Sequence, residues 1–254
     1  MRFNGRTAIV TGAAGGIGGA VAAQFAREGA NLCLADKRPE IAVAQEIRAL
    51  GRTAIEQPTD VTDSAAVRLM VERTLEAFGR VDILVNVAGV SSHGSSEQVT
   101  DAEWDRVLTH NLKSVFLCCR AVIPPMRAQR YGRIVNIGSI LGKNGGNPRP
   151  WIDRAEQTRA GNVAYGASKA GVHMLTMFLA KELAADGITV NAVAPGPIAS
   201  AMTVNFPETL RALIPVGRMG RAAEVAEAVC FLASDAAAFI TAEILDVNGG
   251  MWGD

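Results

Sequence analysis

Seven short runs of β-forming residues alternate with longer stretches of helical periodicity from one end of the chain to the other, and no other feature narrows the possible folds so far. The runs are 7–10, 31–35, 53–57, 83–86, 133–137, 189–194 and 243–247. Strand and helix in alternation make βαβ units, whose crossovers force the strands parallel and lay helices on both faces of the sheet. Several runs are apolar without interruption, as a strand covered on both faces must be. The expectation is an α/β fold with a seven-stranded parallel sheet and helices on both faces. At 254 residues the chain can form this as one domain spanning 1–254, and no repeat, low-complexity tract or linker divides it. A helix should begin at the Thr100-Asp101-Ala102-Glu103 capping box and end near Pro124. Another should open near Asn162, run to about Asp186 and stop at Gly187.

Composition removes whole classes of function. The 25 basic and 25 acidic side chains balance, so the basic excess of a nucleic-acid binder is missing. The longest unbroken hydrophobic stretch, 228–233, is far below the roughly 18 residues of a membrane span. The apolar run at 7–10 is too short for a secretory signal, and Cys33, Cys118, Cys119 and Cys230 lie in apolar segments without metal-ligand spacing. They read as reduced core residues, which fits a cytoplasmic protein. His93 and His173 have no metal-ligand spacing either and suggest no role.

The first run leads straight into Thr11-Gly12-Ala13-Ala14-Gly15-Gly16-Ile17-Gly18 and then into an amphipathic helix. Glycines there let the backbone turn tightly, approach a pyrophosphate and aim a helix N-terminus at the anion. Asp36 follows Gly18 by 18 residues, at the end of the second run, where a carboxylate can accept hydrogen bonds from adenosine ribose hydroxyls. The same carboxylate would repel a 2'-phosphate, so the expectation is NAD, with NADP less favoured; Lys37 and Arg38 are the residues that argue the other way.

Only two tyrosines occur, and Tyr165 is followed four places later by Lys169 in a helical stretch. Positions i and i+4 share a helix face, and an ammonium beside a phenol favours the phenolate, drawing its pKa from near 10 toward a range useful for exchanging a proton with an alcohol or ketone. A buried Tyr with an unrelated surface Lys would show the same spacing.

Together these motifs resemble the short-chain dehydrogenase/reductase family, in its form of about 250 residues, over nearly the whole chain. The family's Thr-Gly-x-x-x-Gly-x-Gly is matched by Thr11, Gly12, Gly16 and Gly18, and its Asp-Val beside the adenine by Asp60 and Val61. Its catalytic Asn, Ser, Tyr and Lys fall on Asn111, Ser139, Tyr165 and Lys169, and its Pro-Gly against the nicotinamide falls on Pro195 and Gly196. The resemblance implies a single Rossmann-like doubly wound domain and a nicotinamide cofactor held by Gly12, Gly16, Ile17, Gly18, Asp36, Asp60, Val61, Asn86, Ala88, Gly89, Tyr165, Lys169, Pro195, Gly196, Ile198 and Ser200. By the same resemblance Tyr165 is the general acid/base, and Lys169 lowers its pKa and bonds the nicotinamide ribose. Ser139 holds the substrate oxygen, and Asn111 anchors a water leading to solvent. A homotetramer is implied as well, with Met174, Phe178 and Trp252 as candidate apolar contacts.

The chain departs from the family pattern in places. Asn86-Val87-Ala88-Gly89 replaces the usual Asn-Asn-Ala-Gly, and Ser200, with Thr203 nearby, replaces a Thr after Pro195-Gly196. Between Ser139 and Tyr165 lie 25 residues where the family usually has about a dozen. The surplus falls in segment 142–161, which should emerge beside the substrate pocket and offer Trp151 as an apolar wall and Arg149 or Arg154 to a polar or anionic substrate.

The leading expectation is therefore interconversion of a secondary alcohol and a ketone on a small polar molecule such as a sugar, polyol or hydroxy acid. The alternative is a 3-oxoacyl-acyl-carrier-protein reductase, which typically uses NADPH and docks an acidic carrier. Arg127, Arg130 and Arg133 would supply a basic patch for it, weakened by Asp186 if the two regions adjoin. A nonenzymatic NAD sensor or scaffold on the same fold is the reading of another class. The family's enoyl reductases space Tyr and Lys more widely, and its sugar-nucleotide epimerases need a longer chain.

Overall fold

Every expected run forms a strand: β1 (Thr7–Thr11), β2 (Asn31–Asp36), β3 (Ala54–Pro58), β4 (Ile83–Asn86), β5 (Gly132–Ile137), β6 (Ile188–Pro195) and β7 (Ile244–Val247). They make one all-parallel sheet in the order β3-β2-β1-β4-β5-β6-β7. The structure is a computed structural model that describes residues 1–38, 42–146, 153–200, 203 and 206–253. Helices α1 (Gly16–Arg27), α2 (Val43–Ala49), α3 (Ser64–Phe78), α4 (Asp101–Leu108) and α5 (Ser114–Gln129) occupy the first half. Short helices α6 (Leu141–Asn144) and α7 (Arg154–Ala160) precede the 21-residue α8 (Val163–Leu183), and α9 (Glu208–Arg211) and α10 (Ala222–Ala233) complete the chain.

Alternate strand residues feed two cores, as the two-residue period of a strand requires. Ala8 and Val10, Leu32 and Leu34, and Ile83 and Val85 pack with Val21, Phe25 and Val229 on the α1, α2 and α10 face. Ile9, Cys33, Leu84 and Ile134 pack with Met70, Val122, Met126 and Leu183 on the α3, α5 and α8 face. All four cysteines are buried and unpaired by disulfides. The architecture is the single Rossmann-like α/β domain that was expected.

Local chemistry explains most boundaries and corrects two. Asp63 caps α3 by accepting the Ala65 N–H at 2.8 Å, and Gly79, at φ +73°, ends it. At Thr100 only half of the capping box forms. The hydroxyl accepts the Glu103 N–H at 3.2 Å, while the Glu103 carboxylate turns to Arg106. The helix expected to end near Pro124 instead passes through Pro124 and Pro125 to Gln129, after a π-helical turn over Thr109–Lys113. Pro124 is exposed, so the break in the hydrogen-bond ladder falls on the outer side of α5, where water replaces the lost donor. α8 matches its expected span, closing through a 3₁₀ turn at Ala184–Asp186 onto Gly187 at φ +77°.

The topology reverses between β1 and β4, because the chain builds outward to β3 on one side and then to β7 on the other. Ligands of open parallel sheets bind at the carboxyl ends of the strands beside such a switch point. Thr11, Asp36, Asn86, Ile137 and Pro195 all stand at those ends.

Candidate active site

The glycine turn after β1 is built by contacts that leave no room for side chains. A Cβ on Gly18 would lie 2.1 Å from the Gly12 carbonyl oxygen, and one on Gly12, which sits at φ +66°, would lie 2.9 Å from Ala88 Cα. On Gly16 it would meet nothing within 4 Å, which leaves open space over the start of α1. No side chain caps that helix and no acid occupies its first turn, so its free N–H groups and positive dipole end remain available to an anion. Ile17 is half-buried behind the turn and packs on the core. Thr11, whose hydroxyl the sequence reading left without a role, joins the two halves of this end of the sheet. Its Oγ1 accepts the N–H groups of Val87 and Ala88 at 3.1 and 3.3 Å and holds the segment after β4 against Gly12.

Asp36 is not a free anion. Its carboxylate accepts the Ala14 N–H at 3.0 Å, the Arg38 N–H at 3.1 Å and the Arg38 guanidinium at 3.2 and 3.4 Å. Burial pushes its pKa up, but the hydrogen bonds from Arg38 and Ala14 outweigh that and hold it below the usual carboxylate range. Lys37 reaches Asp60 at 3.0 Å, and Asp60 also takes the N–H and hydroxyl of Thr62, while Val61 is buried behind it. Two cations thus stand over the two carboxylates at this edge.

The four residues expected at the catalytic end converge. α8 carries Tyr165 and Lys169 one turn apart, and Lys169 Nζ lies 5.7 Å from the centre of the Tyr165 ring. Lys169 is buried and donates to the Ile137 carbonyl at 2.7 Å. Desolvation lowers its pKa to about 8. Tyr165 moves against expectation: burial raises its pKa above the usual value, and only a hydrogen bond from Ser139 opposes this. The Lys169 ammonium is aimed at a carbonyl instead of the phenolic oxygen, so burial wins and the phenol keeps its proton at neutral pH. Ser139 is buried at the end of β5, and its Oγ accepts the Leu141 N–H at 3.1 Å while facing the phenol.

Asn111 lies on the π-helical turn and is fully enclosed. Its Oδ1 accepts the Val90 N–H at 2.7 Å, and its Nδ2 donates to the Val90 carbonyl at 3.0 Å and to Ser168 Oγ at 3.1 Å. Ser168 in turn donates to the Tyr165 carbonyl at 2.7 Å. Asn111 therefore clamps the loop after β4 to the first turn of α8. A Cβ on Gly89 would lie 3.0 Å from Asn111 Oδ1 and 3.8 Å from Lys169 Nζ, so a side chain there would crowd Asn111 and touch Lys169.

The remaining expected residues divide between the site and the interior. The Asn86 side chain turns into the sheet, donating to Asn136 at 2.9 Å and to Cys119 Sγ at 3.4 Å. Gly196 closes on β7, where a Cβ would lie 2.9 Å from Asn248 Cα, and the Pro195 carbonyl accepts the Ile140 N–H at 3.0 Å. Ile198 bridges to Gly220. The Thr203 hydroxyl is taken up within its own turn, accepting the Ser200 N–H at 2.9 Å and donating to the Ile198 carbonyl at 2.7 Å. Arg149 and Trp151 lie outside the described residues. Arg154 is exposed and ion-paired with Glu97, and Gly94 bridges to Asn162, so the loop after β4 meets the end of segment 142–161 beside Tyr165. Of the three arginines considered for a docking patch, Arg127 and Arg130 both reach Asp186, at 2.7 and 3.7 Å. Arg133 is buried against Tyr131 and Asp235.

Comparison with known proteins adds the following. The family model described as enoyl-(acyl carrier protein) reductase matches residues 12–252. Curated relatives named 3-oxoacyl-(acyl-carrier-protein) reductase FabG include one from Staphylococcus aureus, 40% identical over 97% of this chain and 98% of the relative. Others come from Thermotoga maritima, at 38%, and Escherichia coli, at 40%, each covering 99% of both chains. These matches overturn the preference for NAD read from Asp36, because reductases of that kind are NADPH-dependent. The physical reason is that the Asp36 charge is offset by Arg38, and Lys37 stands beside it.

Proposed function

Because the chain belongs to the short-chain dehydrogenase/reductase family and is an oxidoreductase of the alcohol/ketone couple, we propose that it is an NADPH-dependent reductase of 3-oxoacyl thioesters held on an acyl-carrier protein. The observation that carries this reading is the similarity to 3-oxoacyl reductases along essentially the full length of both chains. Tyr165 and Lys169 stand one helical turn apart, closer than in the enoyl reductases of the family, which speaks for the 3-oxoacyl reaction.

When bound, the nicotinamide cofactor supplies the hydride. The glycine turn and the uncapped start of α1 fit its pyrophosphate, the pair Asp60 and Val61 its adenine, and Gly89 with Pro195 and Gly196 the nicotinamide end. Arg38 and Lys37 meet the 2'-phosphate. Tyr165 gives its proton to the ketone oxygen as that oxygen gains negative charge, and the burial that raises its pKa keeps the proton in place until then. Ser139 donates to the same oxygen and holds it within reach of the phenol. Lys169, charged below about pH 8, keeps a cation 5.7 Å from the centre of the Tyr165 ring while the phenol gives up its proton. Asn111 fixes the Tyr165 main chain through Ser168 and ties it to the loop after β4 at Val90. The described ends of segment 142–161 border the substrate, since Ser139 and Tyr165 flank the segment and Gly94 is joined to Asn162 just after it. The assembly is a homotetramer that covers the exposed Phe178, Met174 and Trp252.

A second reading keeps the small polar alcohol as substrate. One observation favours it: Asp186 engages both Arg127 and Arg130, the cations an acidic carrier would need. The test is a panel of 3-oxoacyl thioesters, polyols, hydroxy acids and ketones assayed with NADPH and NADH. Thioester-dependent oxidation of NADPH, abolished in Tyr165→Phe, is the expected result. Turnover confined to polyols or hydroxy acids favours the second reading. Tight cofactor binding without turnover of any panel member favours a sensor.

A further inference from the structure

Four of the five N–H groups in the turn that ends β5 have partners in the local backbone or the turn itself. Gly138 and Ile140 donate to Val193 and Pro195 of β6 at 2.8 and 3.0 Å, Leu141 donates to Ser139 Oγ and Gly142 to the Ser139 carbonyl. The N–H of Ser139 points to the other side, where β4 has already ended opposite Asn136. A buried donor in that position needs an acceptor. The acceptor is a side chain: Nε2 of His173 receives the Ser139 N–H with an N···N distance of 3.4 Å.

His173 lies on the buried side of α8, four residues beyond Lys169 and eight beyond Tyr165. The surrounding sequence makes room for its ring. A Cβ on Gly138 would stand 2.2 Å from Nε2, and one on Gly142 would stand 2.8 Å from Cε1. Both glycines have negative φ, so neither is needed for a left-handed turn; what they provide is space. Accepting at Nε2 requires the neutral tautomer with its proton on Nδ1.

We propose that His173 is a positioning residue for the reaction: its imidazole fixes the main chain of Ser139, and through it the hydroxyl that meets both Tyr165 and the substrate oxygen. The inference rests on the reading of Ser139 and Tyr165 as the groups that handle that oxygen. It makes α8 the carrier of three functions at three successive turns: proton exchange at Tyr165, charge at Lys169 and alignment of Ser139 at His173.

The test compares His173→Gln, His173→Asn and His173→Leu in the full-length enzyme. Each variant is first checked for native circular dichroism and cofactor binding. Gln can place an oxygen where Nε2 lies, Asn falls one methylene short, and Leu offers no acceptor. Expected is a kcat within about threefold of the parent for Gln, and a loss of about tenfold or more for Asn and Leu with the cofactor KM within about twofold. In the oxidation direction, the limb of the pH profile that reports Tyr165 should move to higher pH in Asn and Leu, because the Ser139 hydrogen bond no longer favours the phenolate. Equal kcat in Gln and Asn, or a full kcat with an unmoved pH limb in Asn, overturns the role. The contrast between Gln and Asn decides the matter even if Leu fails to fold. Ser139→Ala and Tyr165→Phe are run alongside: activity retained in both defeats the reading of the site itself, whereas activity lost in both with normal His173 variants defeats only the positioning role.

Discussion

A lysine 5% exposed to solvent that donates to the Ile137 carbonyl is held at a cost to stability, as a residue kept for function commonly is. Lys169 has a pKa of about 8 in the folded chain against an ordinary 10.5, so the folded state binds fewer protons than the unfolded state between those values. Stability should rise with pH through that window, and below about pH 8 the full penalty, on the order of 3 kcal/mol, is present. Lys169→Met should lose at least 100-fold in kcat yet raise the Tm of the free protein at pH 7; calorimetry at pH 7 and pH 10 measures both the gain and its disappearance. Arg38→Ala should raise the NADPH KM about tenfold and leave kcat nearly unchanged, and an unmoved KM would remove Arg38 from the 2'-phosphate site. Tyr165, Lys169, Ser139 and Asn111 were legible because each sits in a motif, and the i to i+4 spacing has a physical meaning of its own. The direction of the Tyr165 shift was not, since it depends on burial and on where an ammonium points. His173 was illegible for a related reason: a lone histidine on a helix has no pattern, and its partner is a backbone N–H exposed by where a neighbouring strand stops. Asp36 misled because a carboxylate in a sequence carries its charge, while in the fold it shares that charge with Arg38.

Elements were easier to read than their interruptions. Each strand was found within about two residues because parallel strands covered on both faces must be apolar, and α8 was found whole because Gly187 ends it visibly. The same glycine yields a prediction. Its φ is +77° and a Cβ would lie 2.4 Å from the Arg130 carbonyl oxygen, so Gly187→Ala should cost about 2 kcal/mol or more in urea unfolding. The cofactor KM should change little, since Gly187 lies at the opposite end of α8 from Tyr165. Pro124 and Pro125 mislead because the rule against proline in helices assumes that the lost hydrogen bond is buried, and here it faces outward. Thr100 misleads in the other direction, since Glu103 has a stronger partner in Arg106 than the backbone it was expected to cap.

At the scale of the molecule, the buried face of α8 lines the site while its outer face leaves Phe178 68% and Met174 53% exposed. Side chains of that size on one helix face are expected to be covered by another subunit. Phe178→Glu should lower the mass measured by light scattering from that of a tetramer, and a parent protein that runs as a monomer would dismiss the assembly outright. No helix among the described residues is long and apolar enough to cross a membrane. The two ends of segment 142–161 are anchored independently of what lies between them. Ser139 is tied down by β6 and by His173, and Asn162 is joined to Gly94. Descendants of this chain are therefore free to trim, extend or exchange the intervening stretch as a cassette, and natural variation in what such an enzyme accepts should accumulate there while the proton-handling groups stay where they are.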